Sequence, residues 1–139
     1  MEVQGYSLPD ELYYDTNHSW GRVEGDIMVV GINDFAQKLA GEFVSVDLPS
    51  KGKKVQQGKP LASVESGKWV GRVYAPVSGE VVDVNEALED DPTTLNSDPY
   101  GEGWVAKIRF ENSAELENLL QGEKAARWLE EEIAKHVKK

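Results

Sequence analysis

The 139-residue chain contains no cysteine, two histidines (His18 and His136), two methionines and 15 basic residues against 25 acidic ones. Without cysteine there is no disulfide, no thiolate metal site and no protein thiol nucleophile, so any sulfur chemistry has to arrive with a cofactor. His18 and His136 show no His/Asp/Glu spacing of the kind that marks a metal site. The net charge of −10 argues against nucleic acid, whose binding depends on neutralising phosphates. Lys51, Lys53, Lys54 and Lys59 form a basic cluster, but Gly52, Gly58 and Pro60 break it into a solvated loop. No run approaches the ~20 apolar residues of a membrane span. Met1 to Gly5 lacks a basic segment leading into an apolar one, so a cytoplasmic location is the default expectation. There is no Gly-x-Ser-x-Gly elbow and no phosphate-binding glycine loop. A Ser-His-Asp group would meet only in the fold and stays open.

What is present is a globular composition, with 40% hydrophobic and 29% charged residues, of a length suited to one domain over 1–139. Trp20–Glu24 and Ile27–Ile32 read as strands joined by a Gly25-Asp26 turn. Asn33 is placed to cap a short helix over 34–40 that Gly41 ends. Phe43–Leu48 alternates as a strand, Pro60–Val64 and Val73–Ala75 flank Lys68, and Glu80–Asn85 follows. Residues 86–103, rich in Asp, Pro, Asn and Gly, read as an ordered surface loop. Trp104, Ala106, Ile108 and Phe110 then alternate as the inward face of a half-buried strand. The core is expected over about 13–110 and a helical region over 113–138. Ser113 caps its first helix, and Gly122 breaks it. Ala126, Leu129, Ile133 and Val137 form one apolar stripe, and His136 is a helix-end charge. Short strands broken by glycines predict a mainly β sandwich or barrel with a short helix between early strands and helices at the C-terminus.

Lys68 stands out in Val64-Glu65-Ser66-Gly67-Lys68-Trp69-Val70-Gly71, at a turn between two strands. An ammonium on a flexible stem there is accessible to modification, although spacing alone is equally that of an ordinary surface lysine. The surrounding segments resemble the H protein of the glycine cleavage system, a lipoyl-carrier family. The resemblance is carried by Val29–Gln37, Val64–Lys68, Ala75–Leu88 and Asp98–Trp104, in that order, and runs from about Tyr13 to the C-terminal helix. It implies a barrel-sandwich hybrid of the lipoyl-domain type. It also implies lipoate in amide linkage on Lys68, within a motif of Glu65, Ser66 and Lys68, and recognition of Glu65 and Gly79 by the lipoylating enzyme. The implied protein is a swinging-arm carrier and not an enzyme. Its partners would be glycine decarboxylase, aminomethyltransferase and dihydrolipoamide dehydrogenase, with an aminomethyl group as cargo. A biotinyl carrier shares the hairpin, but its lysine lies between methionines, whereas Gly67 and Trp69 flank Lys68.

Two positions depart from the glycine-cleavage pattern. The family's His-Glu-Trp is His18-Ser19-Trp20 here, and the Asp a few residues after the lysine is Arg72. Those carboxylates help hold a cationic arm, so their loss and the gain of a cation suit an anionic cargo. The Gly67-Lys68-Trp69-Val70-Gly71 variant is similar to lipoate-binding H-protein paralogues that carry oxidised sulfur for a heterodisulfide-reductase-like complex. Both cargo readings stand on the sequence. Ser19, Trp69 and Arg72 are the expected cargo pocket, with Trp69 either at the arm or folded onto the body, and Arg72 either free or paired with a surface acid.

Overall fold

The computed structural model describes residues 1–136. Val137, Lys138 and Lys139, the end of the expected apolar stripe and two of its terminal cations, lie outside the described residues. In chain order the strands are β1 (Glu2–Val3), β2 (Tyr6–Ser7), β3 (Tyr13–Tyr14), β4 (Ser19–Glu24) and β5 (Ile27–Ile32). Helix α1 (Asp34–Ala40) leads into β6 (Phe43–Asp47), β7 (Lys54–Val55), β8 (Pro60–Ser66), β9 (Val70–Tyr74) and β10 (Gly79–Val84). The short helices α2 (Ala87–Asp90) and α3 (Thr94–Ser97) precede β11 (Ala106–Phe110), a 3-10 segment (Ser113–Asn118) and α4 (Glu123–His136). The strands form a six-stranded sheet in the order β3-β4-β5-β11-β10-β7, a three-stranded sheet β6-β8-β9, and the small β1-β2 pair. Two sheets with flanking helices are the mainly β architecture that the strand pattern predicts.

The period-2 alternation of a strand puts successive side chains on opposite faces, and β5 uses both. Met28, Val30 and Ile32 join the larger core with Val46, Leu61, Val64, Val73, Val81 and Ile108. Val29 points the other way, into a second core with Trp20, Tyr14 and Phe35, which α4 closes with Ala125, Leu129 and Ile133. The β4–β5 turn is made by Gly25 at φ +66, a left-handed conformation that costs glycine little. Trp20 faces Gly31 across the ladder, and a Cβ on Gly31 would sit 2.6 Å from the indole. The glycine therefore makes room for the ring, whose Nε1 donates to the Pro99 carbonyl at 2.9 Å.

Four expectations are corrected. Residues 86–103 do not form a surface loop, because α2 and α3 bury Leu88 and Leu95 completely; two leucines seven apart in a polar stretch give little periodic signal. Val105 is buried because it precedes β11, its N–H donating to the Val30 carbonyl at 2.7 Å. The 3-10 segment is capped by Asn112, whose side chain accepts from the Ala114 N–H, and not by Ser113. Residues before 13 also belong to the packing, since Val3, Leu8 and Leu12 are buried in the second core.

Leu129 is fully buried at the centre of that second core. Leu129→Ala is expected to lower stability by about 2–5 kcal/mol, read as a lowered urea midpoint with an unchanged denaturant slope.

Candidate functional site

Lys68 occupies the tip of the β8–β9 hairpin, and the tip is anchored by the residue two before it. Ser66 is buried. Its hydroxyl donates to the Ala40 carbonyl at the end of α1 at 2.6 Å, and its N–H donates to the Trp69 carbonyl at 2.8 Å to close the turn. The Lys68 N–H approaches the same hydroxyl at 3.4 Å. The lysine is exposed, and its stem lies over Gly41, where a Cβ would come 3.2 Å from Lys68 Cε. Gly41 sits at φ +83, a conformation that favours glycine, so the helix end leaves an open cradle for the lysine stem. Asn96 of α3 braces that cradle, donating to the Gly41 carbonyl at 2.8 Å and accepting from the Phe43 N–H at 2.9 Å. A free lysine on a pinned tip, with its stem lying in a groove, fits an amide-linked lipoyl extension.

The two residues expected to guide lipoylation lie in different places. Glu65 is exposed on β8 beside the tip, opposite Ser45 and Val70. Gly79 is in the other sheet, facing Val55 and Phe110, where a side chain would collide with the Arg109 backbone. Its absent side chain has a packing reason of its own.

Ser19, Trp69 and Arg72 line one cleft of about 330 Å³, to which β4 brings Ser19 and the β8–β9 hairpin brings the other two. Trp69 folds back over Gly71, leaving no space there for a side chain, and meets Phe43 edge-on at 6.3 Å. It is still 42% exposed. Ser19 is buried to 1% exposure, and its hydroxyl accepts from the Tyr74 N–H at 3.2 Å, linking β4 to β9. Arg72 is exposed and makes no ion pair among the described residues.

The wall opposite holds residues that the sequence reading missed. His18 adopts φ +71, a strained left-handed conformation for a residue with a side chain. The 15–19 turn holds it there, with Asp15 Oδ1 accepting from the Asn17 and Ser19 N–H groups at 2.9 Å each. The His18 ring lies 4.8 Å from Trp128 and 5.5 Å from Phe35. His18 Nε2 lies 2.9 Å from Glu132 Oε1, and Asn33 Nδ2 lies 3.1 Å from Nδ1. Asn33 has no choice of orientation, because its Oδ1 accepts from the Ala36 N–H as the α1 cap. Its amide must therefore donate to Nδ1, and the neutral ring carries its proton on Nε2 and donates to Glu132.

Burial pushes His18 below its ordinary pKa, outweighing the pull of Glu132. For Glu132 partial burial acts upward, but the hydrogen bonds from His18 and Lys135 and the charge of Lys135 outweigh it and hold the carboxyl below its usual range. The result is a neutral imidazole beside an ionised carboxylate, Glu132 being 13% exposed. His136 Nε2 stands 3.9 Å from the same oxygen, so His18, Glu132 and His136 cluster within 4.8 Å. They make a poor metal site, since Asn33 forces the proton onto the nitrogen that would have to ligate. Glu132 and His136 share one helix face by their i,i+4 spacing, but nothing in the sequence announces a meeting with His18, 114 positions away.

The family described as glycine cleavage H-protein matches residues 12–132. A protein of Sulfolobus acidocaldarius named probable glycine cleavage system H protein 2 is 51% identical over 130 residues, covering 91% of this chain and 87% of that one. The glycine cleavage system H protein of Rubrobacter xylanophilus is 48% identical over 125 residues, covering 90% and 97%. The crystal structure of a glycine cleavage system H protein from Mycobacterium marinum superposes with a TM-score of 0.76 at 33% identity, covering 90% of this chain and 98% of that one.

One buried carboxyl gives the site a pH signature. Burial raises the Asp15 pKa from 3.8 to about 6, the Ser19 and Asn17 bonds opposing it, and its Oδ2 is buried without a partner. The native state thus holds this proton to higher pH than the unfolded chain does. Its contribution to stability is full below the unfolded value and is lost as pH rises toward 6, by at most about 3 kcal/mol. Asp15→Asn is expected to remove this decline, measured as urea stability at pH 4 and pH 7.

Proposed function

Because the chain belongs to the glycine cleavage H-protein family, a family of lipoyl carriers without an active site of their own, we propose that Lys68 is its lipoyl attachment site. The observation that carries this reading is the exposed Lys68 on a tip pinned by Ser66, its stem in the cradle left by Gly41. Lipoate would supply the two sulfurs that the polypeptide lacks, as a dithiolane able to be reduced and to carry a sulfur-bound group. Ser66 fixes the tip against α1, Gly41 gives the stem room, and Trp69 walls the cleft beside it. Glu65, exposed next to the tip, is the side chain best placed to dock a lipoylating enzyme. Gly79 contributes by keeping β10 close to β11, with recognition following from that geometry.

The cargo proposed is the aminomethyl group of glycine cleavage. It would be received from glycine decarboxylase and passed to the aminomethyltransferase, with dihydrolipoamide dehydrogenase reoxidising the arm. The loss of acids at Ser19 and Arg72 is offset by Glu132, a carboxylate in the same cleft. A second reading, oxidised sulfur carried for a heterodisulfide-reductase-like complex, rests on Arg72 having no ion-pair partner among the described residues. Among those residues no helix is long and apolar enough to cross a membrane.

Protein expressed in a lipoate-replete host is expected to carry one lipoyl mass increment, lost in Lys68→Arg. An unmodified wild-type mass would sink the carrier reading. Incubating the lipoylated protein with glycine decarboxylase and glycine is expected to add the one-carbon amine, and failure to load would favour the sulfur cargo.

A further inference from the structure

We propose that Glu132, on the C-terminal helix, is the residue that selects a cationic cargo, taking the place of the acids absent at Ser19 and Arg72. The inference rests on the carrier reading of Lys68. Four observations converge on it. Glu132 lines the same cleft as Trp69 and Arg72. It stays ionised, because the hydrogen bonds from His18 and Lys135 and the charge of Lys135 outweigh the upward effect of its partial burial. Its partner His18 is held uncharged by burial, and Asn33 occupies the nitrogen that a second proton would need. The carboxylate is therefore oriented by a histidine that does not neutralise it. Finally, the strained backbone of His18 is maintained by the Asp15 turn at some cost, as is common where a side chain must be aimed.

The charges facing Glu132 decide its availability. Oε1 receives the His18 bond, and His136 stands 3.9 Å away. Oε2 is approached at 3.1 Å by Lys135, whose side chain is 70% exposed. Such an exposed pair is weak, so an ammonium on the arm can displace Lys135 and take Oε2 in a charge-assisted bond. A carboxylate or sulfonate terminus meets repulsion at Glu132 and is left with the cations toward the rim, Arg72 and the exposed Lys135 among the described residues. The cleft thus has a cationic rim and an anionic inner wall.

The absence of cysteine allows a direct test, because alkylating the reduced lipoyl protein places the label on the arm's thiols. Arms alkylated with bromoethylamine, iodoacetamide or iodoacetate end in an ammonium, a neutral amide or a carboxylate. The His18 ring and Glu132 side-chain NMR signals report occupancy of the cleft. The ammonium arm is expected to shift both signals and to occupy the cleft about tenfold more than the carboxylate arm. Glu132→Gln, with lipoylation and circular dichroism unchanged, should abolish this preference. Lys135→Ala, which removes the competitor, should increase it, an effect that structural damage would not produce. Equal occupancy by the ammonium and carboxylate arms, or a preference that survives Glu132→Gln, would overturn the proposal. Failure of glycine decarboxylase to load the arm while the preference persists would refute the glycine-cleavage cargo and leave the role of Glu132 standing.

Discussion

The geometry around Lys68 depends on helix α1 being fixed at both ends. At its start Asn33 caps the helix through Ala36. At its end the Ala40 carbonyl receives the Ser66 hydroxyl, and Asn96 holds Gly41. A buried hydroxyl with no partner would cost about 1–3 kcal/mol, so the hairpin tip cannot lift from α1 cheaply. Seven helical residues thereby connect the hairpin tip that bears Lys68 to the cleft wall. A flexible arm needs a fixed origin if its far end is to find one cleft rather than many.

The elements were legible in the sequence wherever a side chain announced its own local job. The Asn33 cap, the Gly41 stop, the Gly25 turn and the alternation of β11 all act within a few residues, and each is found as expected. The Glu65-Ser66-Gly67-Lys68 motif located the tip, and the resemblance brought Ser19 and Arg72 to the same cleft. Long-range associations were not legible. Leu88 and Leu95 look like punctuation in a polar stretch until the fold gives them a core to enter. Trp69 left two orientations open, and only the empty position at Gly71 decides that it lies back across the cleft.

Charge shows the same limit in sharper form. Comparing positions one at a time, Ser19 and Arg72 suggest a cleft stripped of negative charge. The assembled cleft has a carboxylate, delivered by a helix packed through Leu129 and Ile133 into the second core. Electrostatic character belongs to the enclosed volume, and any element bordering that volume can supply it. His136 illustrates the same point, since a helix-end position did not foretell its meeting with His18.

Asn33 has two partners at once, the first turn of α1 through its oxygen and His18 through its nitrogen. Unwinding that turn would free the amide and release the histidine to take up a second proton. Helix fraying and imidazole ionisation are thus coupled equilibria governed by one side chain. Whatever braces the far end of the helix, including contacts made at the hairpin tip, also biases the protonation of a ring on the opposite wall.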